Sequence, residues 1–324
     1  MNKPTINNYD SVIDKISDSV PRVNISSLTP KIFAQRYQKP GIPVVITGML
    51  ENEPDWNLDY ICEKIGDQEF IFRNYHLEKN DSQQQEATVV GSGVALERMK
   101  FSEYAELLRN GKAYESDIYL GKGPLKNTTL AQTPSFQTIG KQLGLTKPVT
   151  GFNMYMGAGI HKSGLHYDLM DNTLMQLHGA KKVVLFPPSQ IYNLYPIELY
   201  HHFFHGMKLR SCFSRVSTQK PDLETFPKLE QALEHKQEVI VHSHETLYIP
   251  SGWWHDVIAL GDEMVCSVSR FWRVYPSTRA LLSWSRYRSV IGFFCAMPYT
   301  TLSLIGALFG SNKKQKISDI LYRI

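Results

Sequence analysis

Cysteine is scarce in this 324-residue sequence: Cys62, Cys212, Cys266 and Cys295 stand far apart, with no C-x-x-C pair among them. That scatter excludes a disulfide framework and a cysteine-built zinc module, and it fits a reducing compartment. The first twenty residues, MNKPTINNYDSVIDKISDSV, hold no apolar run of the kind a secretory signal needs, so the expected location is the cytoplasm. An excess of one charge is lacking too. The 35 basic and 31 acidic residues leave a formal net charge of +4, too small and too dispersed to announce a nucleic-acid partner. There is no internal repeat. What is present is a chain with 42% hydrophobic residues, long enough to bury a substantial core.

After a polar leader over residues 1–20, Thr29-Pro30 reads as an N-cap followed by proline at the first helical position, opening a helix through Ile32, Phe33 and Tyr37. Val44, Val45 and Ile46 make a short β-branched strand closed by glycine. A second helix is expected from Ser102 to Asn110, with apolar Tyr104, Leu107 and Leu108 and a stop at Gly111. The stretch 78–93, rich in Gln and Ser, reads as a surface loop. From about Gly151 the texture changes to short strands: GFNMYMG, LHYDLMD, TLMQLHG, KKVVLFPP, EVIVHSH, TLYIPSG, HDVIAL and EMVCSVSRFW. Short strands punctuated by glycine and proline predict a mainly β fold, a sandwich or jelly roll, with flanking helices rather than alternating βαβ units. A polar insertion over 197–238 interrupts them and carries an expected helix in DLETFPKLEQALEH.

Two residues in LHYDLMD bring chemistry. His166 and Asp168 lie two apart on an expected strand, which puts both side chains on one face, about 7 Å apart along the backbone. An isolated H-x-D is a weak signal, since such a pair usually marks only a polar strand face. A third donor is available from His255 in YIPSGWWHDVIAL, at the opening of another strand. Two histidines and one carboxylate make a facial metal triad that leaves three coordination positions open, enough for a bidentate 2-oxo acid and oxygen.

Context strengthens the pattern. The run HYDLMDNTLMQLHGAKKVVLFPP, followed later by LYIPSGWWH, resembles the JmjC-type, cupin-like Fe(II) and 2-oxoglutarate oxygenases, a family that includes the asparaginyl hydroxylase of the hypoxia-inducible factor and the wybutosine-tRNA hydroxylase. The dense part of the match spans about Gly151 to Trp272. Looser matches precede it in order: KPGIPVVITG, Trp56, FSEYAELL and DIYLGKGPL. The resemblance implies a double-stranded β-helix with a helical N-terminal region, a catalytic domain over 21–275 with its core at 150–273, and a C-terminal helical segment over 276–324. It also implies Fe(II) held by His166, Asp168 and His255, with 2-oxoglutarate and O2 as co-substrates. Family positions for the co-substrate pocket fall on Lys181, which pairs with the distal carboxylate, on Ser163 three residues before the first histidine, and on Tyr119 and Asn172. One position departs: Arg270 stands where the family tends to carry asparagine. It is either a second carboxylate anchor or an outward-facing residue.

The resemblance leads to a hydroxylase of a protein or peptide side chain. A tRNA base, a small molecule, or binding without turnover on the cupin shell are the alternatives; methyl-lysine demethylation is disfavoured because no histone-reading segment is visible. Other conspicuous residues receive plainer readings. His201, His202 and His205 have no second half for a zinc site and read as loop histidines. His242 and His244 read as turn residues, His161 and His178 as neighbours of the metal strand, and Trp253 and Trp254 as packing at the barrel mouth beside His255. Residues 289–312 carry no charge and are flanked by Arg286, Arg288 and a KKQK run. Their length suits one membrane span, while Pro298 suits a break into two short apolar helices. The segment is therefore expected either to pair into a homodimer or to associate with a membrane.

Overall fold

The computed structural model describes residues 19–75, 94–159, 161–261, 263–309 and 312–323. Nearly all of the expected leader and the polar stretch 78–93 lie outside the described residues. Thirteen strands are present among them: β1 (Arg22–Asn24), β2 (Val44–Thr47), β3 (Glu69–Asn74), β4 (Ala95–Lys100), β5 (Ile118–Pro124), β6 (Asn153–Ala158), β7 (His166–Tyr167), β8 (Asp171–His178), β9 (Ala180–Phe186), β10 (Gln237–Val241), β11 (Thr246–Ile249), β12 (Trp254–Leu260) and β13 (Met264–Trp272). Nine form one sheet in the order β1-β2-β11-β8-β13-β6-β5-β3-β4, and four form a second in the order β10-β9-β12-β7. The fold is a jelly roll of the cupin type with flanking helices, as the strand spacing predicts.

Period-two alternation sorts each central strand into an inner and an outer face. Val183, Leu185, Val239, Val241, Leu247 and Ile249 meet between the sheets as an apolar plug at one end of the barrel. The outer face of the large sheet, with Met175, Leu177, Val268 and Trp272, packs on the N-terminal helices through Phe33, Trp56, Phe101, Tyr104 and Phe136. These helices are α1 (Leu58–Ile65), α2 (Phe101–Arg109) and α3 (Pro134–Leu143). Their starts are chemically specified: Asn57 Oδ1 accepts from the Tyr60 amide at 2.9 Å, and the Glu103 carboxylate accepts from the Lys100 amide at 2.8 Å. The expected first helix also forms, with Thr29 Oγ1 accepting from the Ile32 amide at 3.2 Å.

The outer face of the small sheet is covered by the 197–238 insertion and the C-terminal helix. Tyr167, Val184, Phe186, Trp254 and Ile258 pack there against Leu229 and Ala232. Within the insertion the expected helix shrinks to Leu229–Leu233, because Pro227 blocks its extension backwards.

Pro298 does not divide the C-terminal segment. A single helix, α4, runs from Trp284 to Phe309 with Pro298 inside it, and α5 (Lys313–Arg323) follows. The lost ladder hydrogen bond is tolerated because α4 is clamped on both sides of the proline. Before it, the buried Arg288 guanidinium donates to the carbonyls of Ser211 and Ile197; after it, the Met207 amide donates to Thr300 Oγ1 at 3.3 Å. α4 is long and apolar enough to cross a membrane by length and composition alone.

Candidate metal centre and co-substrate cavity

β7 and β12 pair antiparallel, with His166 the Cα partner of His255. Direct partners point to the same face, so both imidazoles enter the space between the sheets. Each ring is oriented by its own backbone: His166 Nδ1 donates to the Gly164 carbonyl at 2.8 Å and His255 Nδ1 to the Trp253 carbonyl at 3.0 Å. With Nδ1 carrying the proton, each Nε2 presents a lone pair to the centre, which is how metal-ligating histidines are usually set. Asp168 follows immediately after β7, which stops at Tyr167 and so is shorter than the motif suggested. Its carbonyl accepts from the Gly252 amide at 2.9 Å, pinning it to the turn that leads into β12. The Asp168 Oδ2 to His255 Nε2 distance is 3.6 Å, and one donor atom from each of the three residues lies within 4.8 Å of the others.

These donors fit a divalent transition metal. Burial, reinforced by the charge of His255, lowers the His166 pKa to about 4, so its imidazole is neutral and available at physiological pH. The His166 ring also stacks on Phe213, with centroids 4.8 Å apart and planes at 19°, which fixes its tilt. Among the described residues this is the one group of three or more His, Cys, Asp or Glu side chains close enough to share an ion.

The triad opens on a cavity of about 170 Å³ whose walls include Tyr119, Ser163, Asn172 and Lys181. Lys181, at the start of β9, is 3% exposed and donates from Nζ to Ser267 Oγ at 2.6 Å. No carboxylate pairs with it among the described residues, and burial lowers its pKa to about 8. Asn172, on β8, is buried, and its Oδ1 has no hydrogen-bond partner among the described residues. Ser163 Oγ accepts from the Val257 amide at 2.9 Å, which stitches the segment before β7 to β12. Tyr119 on β5 stacks on His161, centroids 3.6 Å apart and planes at 12°. A buried cation and a buried side-chain amide lining the same cavity as the His/Asp/His group make a pocket whose chemistry fits an anionic, chelating small molecule.

Arg270 is not part of that pocket. Along β13, Ser267, Ser269 and Phe271 face the cavity, so the alternation sends Arg270 to the opposite side. Its guanidinium lies over the rings of Phe152 at 4.3 Å and Trp272 at 4.9 Å, between the sheet and the N-terminal helices. The outward alternative is the one the fold realises, with aromatic faces compensating for part of the lost hydration. Trp254 is likewise turned away from the metal: it is fully buried on the outer face against Tyr167, whereas Trp253 caps the inner plug and donates from Nε1 to the Gly41 carbonyl at 2.7 Å. His201, His202 and His205 sit in short helical turns against α4, and His244 occupies a turn at φ 69°. His178 is engaged by Asp55 at 2.6 Å.

Several wall residues carry no signal in the motifs. Ser267 could have been found from its place two residues before Ser269 on an inward-facing register. Arg73, Arg210 and Phe213 come from β3 and the insertion, and only the folded chain brings them to the cavity. Lys122 joins this basic margin from a β-bulge in β5, where it is the extra residue and adopts φ 73°. Burial, then the nearby charges of Arg210 and Arg73, lower the Lys122 pKa.

A family model described as a cupin-like domain matches residues 30–278. The chain belongs to the cupin-like domain family. Its JmjC-type relatives include lysine-specific demethylase JMJ31 of Arabidopsis thaliana, 29% identical over 188 residues that cover 56% of this chain and 32% of that protein. Lysine-specific demethylase JMJ30 of the same plant is 30% identical over 265 residues, covering 76% and 53%. Human tRNA wybutosine-synthesizing protein 5 is 34% identical over 113 residues, covering 35% and 30%. The cupin-like chain thus spans about half or less of the length of these curated relatives.

Proposed function

We propose that this cupin-like protein is an Fe(II)- and 2-oxoglutarate-dependent hydroxylase acting on a protein or peptide side chain. The observation that carries the reading is the combination of a triad of His166, Asp168 and His255 with a buried Lys181 that has no carboxylate partner among the described residues, both opening on one cavity. His166, Asp168 and His255 hold the metal. Lys181 binds the distal carboxylate of 2-oxoglutarate, with Tyr119 and Ser163 beside it, and Asn172 takes a polar group of the chelating end. A fixed cation in a low-dielectric pocket binds a carboxylate far better than one in water. Ferrous iron, when bound, supplies the redox chemistry by which 2-oxoglutarate and O2 become succinate and CO2, with the second oxygen atom passing to a substrate C–H bond. The protein's own work is positioning and exclusion of water by the apolar plug and the stacked aromatic rings.

The charge of the margin supports a neutral or acidic target over a methylated ammonium. Arg73 and Arg210 line the cavity with Lys122 close enough to feel their charge, and among the described lining residues the one carboxylate is that of Asp168, which is assigned to the metal. The same cations favour one second reading, a tRNA base as substrate, because they suit a phosphodiester. Purified protein supplied with iron(II), ascorbate and 2-oxoglutarate should release succinate, and His166→Ala should abolish it. Mass spectrometry of treated peptide and tRNA pools for a gain of one oxygen assigns the substrate class. Succinate from neither pool removes the enzyme reading.

The proposal extends to the C-terminal helix. α4 buries a stripe of Ser285, Arg288, Gly292, Ala296, Thr300 and Ala307 and exposes Ile291, Phe294, Leu302, Ile305 and Phe309 on the opposite face. That exposed face carries no charge, so two copies meet without like-charge repulsion, and α4 pairs with a second copy of this chain.

A further inference from the structure

His161 stands in the cavity wall and is 3% exposed. Its Nδ1 lies 2.9 Å from Asp117 Oδ1, so Nδ1–H donates and the carboxylate accepts. One ring face is covered by Tyr119 at 3.6 Å, and Tyr75 flanks it at 5.0 Å. The opposite nitrogen, Nε2, is buried and has no hydrogen-bond partner among the described residues. A polar atom left that way carries an uncompensated desolvation penalty, and such atoms persist where a bound molecule supplies the partner. Asp117 is itself held at φ 45°, a left-handed conformation that only a few residue types tolerate, and this places its carboxylate behind the ring.

We propose that the His161–Asp117 pair is a second anchor for the carboxylate that Lys181 holds, with His161 donating from Nε2 as an imidazolium. The proposal rests on the 2-oxoglutarate reading given above and deepens it. In the free protein, burial holds the His161 pKa below its usual 6.5; the charges of Lys181 and Arg73 add to this, and the hydrogen bond and charge of Asp117 oppose it. The ring is therefore neutral at pH 7, with a lone pair rather than a proton at Nε2. Arrival of a carboxylate cancels part of the cationic field from Lys181 on β9 and Arg73 on β3. It also adds a second negative charge to that of Asp117, so the ring takes one proton from solvent and closes the hydrogen bond. Tyr119, whose pKa burial raises well above its usual value, stays neutral throughout.

The experiment is calorimetric titration of the full chain, loaded with Mn(II) and kept free of oxygen, with 2-oxoglutarate at pH 7.0 in buffers of different ionisation heat. Proton uptake close to one per molecule bound is expected, of which Lys181 contributes roughly a tenth, given its lowered pKa. In His161→Gln the uptake should fall to the Lys181 share and affinity should weaken about 10-fold or more, as for loss of a charge-assisted hydrogen bond. Asp117→Asn, which keeps an acceptor behind the ring but removes its charge, should lose most of the uptake as well. It serves if His161→Gln misfolds, as judged by Mn(II) affinity and melting temperature. Wild-type affinity and wild-type proton uptake in both variants overturn the second anchor while leaving the co-substrate reading intact. Failure of the unaltered protein to bind 2-oxoglutarate takes down both.

Discussion

His166 and His255 face each other as direct Cα partners across the antiparallel β7–β12 pair, the shortest pairing in the small sheet. Register and function are therefore one quantity here, since a slip of one residue would send one imidazole to the outer face. The Asp168 and Gly164 carbonyl contacts hold that register from either side of the two-residue strand. Removal of either histidine by substitution with alanine should weaken Co(II) or Mn(II) binding at least 100-fold, beyond the loss usual for an outer support residue. Equilibrium dialysis checks this, and binding unchanged in both variants would place the metal elsewhere.

Lys181 sets function against stability. Its folded pKa of about 8 lies below the unfolded value near 10.4, so the unfolded chain binds more protons between those values and stability rises with pH across that window. Below pH 8 the full penalty of the buried charge, of order 3 kcal/mol, is present. Lys181→Met should therefore melt at a higher temperature than wild type at pH 7 and fail to bind 2-oxoglutarate. In the wild type the KM for 2-oxoglutarate should already rise with pH near 7 through protonation of His161 on binding, and climb more steeply above pH 8 as the Lys181 ammonium deprotonates. Thermal melts of both proteins, with a pH series of KM, test the two halves separately.

Arg270 offers the complementary case. Because its guanidinium packs on Phe152 and Trp272 outside the cavity, Arg270→Ala should leave the KM for 2-oxoglutarate unchanged. The same change should cost about 1–2 kcal/mol of stability through lost cation–π and stem contacts. A tenfold rise in KM with unaltered stability would restore it as an anchor.

These cases mark what the sequence could say. Strand alternation and the H-x-D spacing are enough to bring His166 and Asp168 together, even though the strand stops one residue short of Asp168, whereas Lys181 follows only from the family resemblance. The face of Arg270 was undecided because its sign depends on where β13 begins its register, which the β-bulge between Cys266 and Ser267 resets. Pro298 misled for a different reason. Propensity counts the ladder bond that proline removes, whereas the Arg288 and Thr300 clamps that compensate are contacts to residues 77, 91 and 93 positions away. The His161–Asp117 pair was invisible in the same way, joining positions 44 residues apart.

The C-terminal helix supplies the last prediction. Tyr167, lying between two proposed metal ligands, donates to the Ser285 carbonyl at 3.0 Å and lies 3.0 Å from Ser289 Oγ, so α4 is mechanically tied to the metal strand. On the far side of the same helix Phe294 is 66% and Leu302 69% exposed, eight residues apart on one face. Charges placed there, as Phe294→Glu with Leu302→Glu, leave the Tyr167 contact untouched but oppose any apolar partner. If a second copy covers this face, light scattering should show the mass fall from dimer to monomer, with metal affinity retained. A monomer before substitution that partitions into anionic vesicles, and loses that partition afterwards, would give the face to lipid instead. A wild-type monomer indifferent to vesicles would show that neither partner covers it, and the apolar stripe would then need a different occupant.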